Sequence, residues 1–186
     1  MTIVPVLYVV GCAAPPVLSI TTLVSGAIER GWDTCLVLTE TAHTWLADQL
    51  PDLAELTGHP IRVRYKLPGE PDVLPPAEAM IVAPATSNTI NKWAAGISDT
   101  LPLGLITEAI GLGLPLIALP HLNAAQAEHP AFAVSVETLR GAGVQVLLGT
   151  DGHTPHSPGT GTGAGFAWER ALDRLPPVAA RHPVSE

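Results

Sequence analysis

Four short segments of this chain gather hydroxyl, amide and imidazole groups where backbone needs alone would ask for fewer. Pro84-Ala85-Thr86-Ser87-Asn88-Thr89 places four consecutive polar, uncharged side chains directly after a hydrophobic run. One of them suffices to cap a following helix; the others are available to a polar ligand. Pro120-His121-Leu122-Asn123 repeats the pattern with an imidazole and an amide. That amide can satisfy its own loop or donate to a ligand oxygen. Gly11-Cys12-Ala13, where a β-rich run meets a helical pattern, would let backbone N–H groups approach an anion or simply supply a tight turn. It carries no Lys or Arg, so a phosphate there would rest on amides and hydroxyls. It is not G-x-G-x-x-G, which weakens a dinucleotide reading. Thr39-Glu40-Thr41 offers two hydroxyls and a helix cap.

All four segments fall where strands should end. Ile3 to Val10 is an uncharged, β-rich run, the pattern of a central strand covered on both faces. Ile20, Leu23, Val24, Ala27 and Ile28 then recur at helical spacing until Gly31. The cycle continues with a strand over 34–38, a helix over 41–50, a short strand over 61–65, a strand over 80–83 and a helix over 87–95. A helix over 103–110, a strand over 114–119, a helix over 131–140 and a strand over 144–148 complete it. Strands alternating with helices predict right-handed crossovers and a doubly wound parallel sheet in a three-layer α/β/α domain. Ligands of such sheets bind beyond the carboxyl ends of the strands, so the loops at 11–16, 39–41, 84–89 and 120–130 should share one rim.

Composition narrows the partners. The 186 residues suit a single domain. Seventeen acidic against nine basic side chains give a formal charge of −8, which repels a nucleic-acid backbone. Charged residues are only 14%, against about 25% in ordinary proteins, so a large surface is expected to be covered by copies of the chain itself. No basic residue precedes Arg30, so the charged opening of a secretory signal is missing. The most apolar stretch, 101–120, is interrupted by Glu108, glycines and prolines, which argues against a membrane span. Cys12 and Cys35 read as reduced thiols, in keeping with a cytoplasmic protein. Residues 150–165 hold five glycines and no apolar period, the texture of a long flexible loop serving as lid or as tail. A short helix over 166–175 follows it, and 176–186 reads as a frayed end. His43, His59, His153, His156 and His182 read as solvated surface, with no zinc site among them. Trp93 reads as packing or as a subunit contact.

The polar run and its continuation, Ile90-Asn91-Lys92 to Gly96-Ile97-Ser98-Asp99, resemble the PASANT motif of the homo-oligomeric flavin-containing cysteine decarboxylases. Pro120 to Phe132 resembles the second motif of that family, P-x-M-N-x-x-M-W followed by N-P-x-F, in the same order and spacing. The resemblance runs from Ile3 to about Leu148 and implies a Rossmann-like or flavodoxin-like fold that holds FMN. By position, it implies that Gly11, Cys12 and Ala13 form the first FMN loop and Thr39, Glu40 and Thr41 the second. Thr86, Ser87, Asn88 and Thr89 would hold the flavin with Asp99 nearby, and His121 would pack against it. Asn123 matches the asparagine that binds the substrate carboxylate.

Three departures shape the expected chemistry. The active-site His of the family lies upstream of the first motif, and the equivalent distance from Pro84 reaches Glu70 in Leu67-Pro68-Gly69-Glu70-Pro71-Asp72. Glu70 or Asp72 then takes the base role, His59 or another His reaches in, or the site is impaired. Gln126 and Ala127 replace the Met and Trp of the second motif, giving a smaller, more polar wall. No Cys follows Cys35, whereas the phosphopantothenoylcysteine decarboxylases carry a late Cys that reduces their enethiol product. The resemblance therefore implies oxidative decarboxylation of the carboxyl-terminal cysteine of a precursor peptide to an enethiol, with residues 150–165 clamping the substrate. It implies a trimer, or a dodecamer built from trimers, with FMN near a subunit interface. Phosphopantothenoylcysteine decarboxylation and a catalytically silent, FMN-binding regulatory or scaffold protein are the alternatives.

Overall fold

The computed structural model describes residues 4–178. Five parallel strands, β1 (Val6–Gly11), β2 (Asp33–Leu38), β3 (Ala79–Ala85), β4 (Leu116–Pro120) and β5 (Gln145–Val146), stand in the order β2-β1-β3-β4-β5. β1, β3 and β4 are buried along their whole length, which is why their sequences are apolar runs rather than alternating ones.

Alternate residues of these strands feed two cores. Tyr8, Val10, Met80, Val82 and Ala118 pack under α4 (Ser87–Ala94), α5 (Leu101–Gly111) and α7 (Pro130–Gly141). Leu7, Val9, Ile81, Ala83, Ile117 and Leu119 pack under α1 (Thr21–Glu29), α2 (Glu40–Trp45), α3 (Leu50–Thr57) and α8 (Trp168–Leu172). Each buried aliphatic side chain contributes about 1.5–3 kcal/mol. A four-residue helix, α6 (Ala124–Ala127), follows β4. The chain order reverses between β1 and β3, so the crevice expected of a doubly wound sheet opens where 11–16, 84–89 and 120–124 meet. The backbone joins these loops directly: the Cys12 N–H donates to the Pro84 carbonyl at 3.1 Å and the His121 N–H to the Ala85 carbonyl at 2.9 Å.

Some boundaries differ from the sequence reading. Residues 61–65 form no strand; Arg62 makes one isolated parallel bridge to Val37. Pro60 removes a donor just before it, and from Arg64 onward the side chains are exposed, so nothing drives further pairing. The expected helix over 41–50 stops at Trp45, and a 3₁₀ turn leads to α3, which starts with Pro51 in its first turn and ends on left-handed Gly58. The β5 ladder is short because beyond Val146 only the Leu147 N–H continues it, to the Ala118 carbonyl at 2.9 Å. Trp93 is buried, its indole N–H donating to the Ile106 carbonyl at 3.0 Å; it is a core residue of α4 rather than a subunit contact. The end of the expected tail and His182 lie outside the described residues.

The segment 150–165 is pinned rather than free. His156 bridges to Asn123 in parallel fashion, and its carbonyl accepts the Ala124 N–H at 2.7 Å. The chain then re-enters the core through Phe166 and α8. Arg30, the C-cap of α1, holds that return by pairing with Glu169 at 2.6 Å and Asp173 at 3.3 Å. No helix among the described residues is long and apolar enough to cross a membrane.

Candidate active site

Gly11 ends β1 in a place where any side chain would collide. A Cβ there would lie 2.7 Å from Ile20 Cδ1 and from Leu38 Cδ2, so the glycine lets α1 and β2 close on the strand. Beyond it, Cys12 is buried. Its Sγ accepts a hydrogen bond from the Thr89 hydroxyl at 3.3 Å, and burial pushes its thiol upward, leaving it a neutral packing group.

The polar run divides its labour. Thr86 caps α4, its hydroxyl accepting the Thr89 N–H at 3.2 Å and facing the Thr89 hydroxyl at 3.0 Å. Thr89 is buried and committed to Thr86 and Cys12. Ser87 is half-buried and Asn88 exposed. Ser87 lines a cavity of about 330 Å³ together with Ala13, Pro15, His121, Gln126 and His156, closed by the backbone of Gly159 and Gly161. No Lys or Arg lines it.

A second depression of about 400 Å³ adjoins the first, with Ser87 and Gln126 in the walls of both. Asn91, Asn123 and His129 line it, and the Asn91 side-chain oxygen, Oδ1, is buried without a partner. Asn123 is the N-cap of α6. Its Oδ1 accepts the Gln126 N–H at 2.9 Å while Gln126 Oε1 accepts the Asn123 N–H at 3.1 Å, a capping box. With Oδ1 committed, the Nδ2 donors are the part of the amide left for a ligand. The Gln126 that departs from the family motif is thus the residue that fixes Asn123.

His121 is buried, and Nε2 faces the Thr162 carbonyl at 3.1 Å. Burial, and then the neighbouring His153, lower its pKa from 6.5 to about 4. His153 and His156 stand against it, ring centroids 4.6 and 4.8 Å away. Both are half-buried, which corrects the reading of them as solvated surface. The return of the segment onto Asn123 brings them there, and only the pairing at residues 123–124, not sequence spacing, would have revealed it.

Other expected site residues do not line either depression, although Thr39 adjoins the first loop, its N–H donating to the Gly11 carbonyl at 3.0 Å. Thr39 caps α2, its hydroxyl accepting the Ala42 N–H at 3.4 Å, and Thr41 is exposed. Glu40 pairs with Arg64 at 2.9 Å and Asp99 with Lys92 at 2.5 Å; both acids line a separate groove beside Tyr65. Glu70 is exposed, and its carboxylate accepts the Leu67 N–H at 2.8 Å. Asp72 is exposed and pairs with Lys66 at 2.8 Å, a hydrogen bond that holds its carboxyl below the usual range. Within one subunit neither acid lines the cavity that His121 lines.

The doubly wound sheet, the cavity without cations at its switch point and the paired polar loops find their class in comparison with known proteins. The Flavoprotein family model matches residues 6–173, and the chain belongs to that family. A flavin is its cofactor. The phosphopantothenoylcysteine decarboxylase of Mus musculus is 42% identical over 67 residues, 36% of this chain and 32% of that protein. The coenzyme A biosynthesis bifunctional protein CoaBC of Thermococcus kodakarensis is 33% identical over 97 residues, 52% of this chain and 23% of that protein. The chain therefore matches a third or less of the length of either relative. Among solved structures, the FMN-dependent cysteine decarboxylase TvaF from thioviridamide biosynthesis superposes with a TM-score of 0.63 at 22% identity, covering 76% of this chain and 88% of that one.

Proposed function

We propose that this chain is an FMN-dependent decarboxylase acting on the carboxyl-terminal cysteine of a peptide, with an enethiol as product. The observation that carries the reading is Asn123, whose amide is clamped by Gln126 in a depression that shares a wall with the cation-free cavity.

The cavity residues fit a flavin mononucleotide in kind. Ala13, Ser87 and His121 line the space, and the N-terminus of α4 opens beside it, so a phosphate would be met by amides and a hydroxyl. A flavin held there would supply the two-electron oxidation of the thiol-bearing carbon that makes loss of CO2 from the neighbouring carboxylate possible. The protein supplies the rest. Asn123 holds the substrate carboxylate by neutral N–H donors, avoiding a cation that would favour the charged starting state over the departing, uncharged CO2. Glu70 or Asp72 receives the thiol proton; because both project from their own subunit, this role goes with delivery to a neighbour in a homo-oligomer. Exposed Tyr65, Leu67 and Val73, 57%, 68% and 51% accessible on that same loop, support a trimer or a dodecamer of trimers. Residues 153–162 close over the cavity and would meet the peptide end.

The segment 150–165 has no Cys, which supports release of the unsaturated product. Phosphopantothenoylcysteine is the second substrate to test, favoured by the identity to the mouse enzyme. Purified protein incubated with a cysteine-ended peptide should yield a product lighter by CO2 and two hydrogens in mass spectrometry. Turnover of phosphopantothenoylcysteine with none of any peptide would replace this reading by the second.

A further inference from the structure

Three imidazoles meet at the wall of the cavity although they come from distant parts of the chain. His121 follows β4, while His153 and His156 lie on the returning segment. One ring nitrogen from each can be chosen so that all three lie within 4.8 Å of one another.

The surrounding hydrogen bonds decide which nitrogens are free. His121 Nε2 faces the Thr162 carbonyl and His153 Nε2 the Leu122 carbonyl, each at 3.1 Å. A carbonyl oxygen only accepts, so each Nε2 carries the proton and each Nδ1 presents a bare lone pair. An imidazole whose far N–H is tied to a backbone carbonyl is the arrangement that orients a metal-ligating histidine. His156 adds an independent sign, because its Nδ1 is buried without any partner. Burying a polar nitrogen unsatisfied is costly, and a cation would satisfy it.

We infer that His121, His153 and His156 form a binding site for a divalent cation of the zinc type, with an open coordination position on the side of the cavity that His121 and His156 line. Three imidazoles with a fourth position left to water or substrate is a recognised zinc geometry, and imidazole ligands exclude the hard cations that prefer oxygen. Tetrahedral bonds of about 2.0–2.1 Å put ligand nitrogens about 3.3 Å apart, so the rings must draw together. Their terminal torsions are soft, and His153 and His156 lie on the same segment. Cation binding would thereby lock residues 153–162 over the cavity.

The test uses untagged, flavin-containing protein, dialysed against a chelator and then against zinc or cobalt(II). Elemental analysis after gel filtration should find one zinc per chain. Cobalt should give tetrahedral ligand-field bands to the red of flavin absorption. His153→Gln and His156→Gln should each weaken zinc binding about tenfold or more, while His43→Gln leaves it unchanged. Zinc should raise the melting temperature of the parent and not of the two Gln variants, a readout independent of any decarboxylation. Wild-type protein that retains no zinc, or binds it as well without His153 and His156 as with them, overturns the site.

Discussion

Asn123 and Gln126 hold each other by reciprocal hydrogen bonds of 2.9 and 3.1 Å, each side chain accepting the other's backbone N–H. The pair separates two roles that a single substitution would confuse. Aspartate caps a helix as well as asparagine does, so Asn123→Asp should keep stability within about 0.5 kcal/mol and keep the yellow colour. It would set a negative charge against a substrate carboxylate, and turnover of a cysteine-ended peptide should fall at least about a hundredfold. Asn123→Ala should lose turnover and also about 1 kcal/mol of stability. Urea melts and mass-spectrometric assays on the same preparations decide it; an Asp variant with parental turnover removes Asn123 from carboxylate binding.

The proposed base lies on a loop whose acids face outward. Glu70→Gln and Asp72→Asn are each isosteric, and the one that removes the base should lower kcat by about 10²–10⁴. The other should behave like its parent. A double variant turning over at the parental rate would move the base to an imidazole and detach this loop from the chemistry.

Two buried groups make stability fall in alkali. Burial, helped by the charge of Asp33, raises the Cys35 thiol from 9.0 to about 12, and burial, with Cys35 nearby, raises the Tyr8 hydroxyl from 10.0 to about 12. The unfolded chain releases these protons first, so above pH 9 ionisation favours unfolding. The stabilisation is complete below about pH 9 and is lost progressively toward pH 12. Denaturant midpoints measured from pH 8 upward should decline from about pH 9, and Cys35→Ala should show a shallower decline from a lower starting stability. An equal slope in the variant would mean that the thiol does not titrate with unfolding.

Much of the architecture was legible because buried parallel strands are apolar on both faces: the runs over 3–10 and 80–83 read as strands and form the centre of the sheet, although β3 continues through Pro84 and Ala85, which read as loop. The rim was legible for the same reason, since polar residues directly after such runs fall on one edge. What remained hidden depended on pairing. Arg62 looked like part of a strand, yet its neighbours had no partner beyond Val37. Thr89 reads as a ligand group, yet its hydroxyl is engaged by Thr86 and Cys12, whereas Thr86 caps α4 and also lines the cavity. The His153–His156 segment carries no apolar period, so nothing local showed that it returns to Asn123 and places two imidazoles against His121.

That return depends on glycines with no room for a side chain. A Cβ on Gly161 would run into the His156 imidazole, and one on Gly163 would lie 3.0 Å from the Pro15 carbonyl oxygen and from Pro16 Cα, which are backbone and cannot step aside. Gly161→Ala should push His156 away, and Gly163→Ala should lift the segment from the 15–16 turn. In either case the Ala124 amide, which donates to the His156 carbonyl at 2.7 Å, loses its cover. Hydrogen exchange at Ala124 should accelerate at least about tenfold, while amides of the central strand, such as Ile81, exchange at rates set by global stability. Ala124 protection equal to the parent in both variants would show that the segment is held by other contacts and that close backbone approach at these glycines is not what seats it.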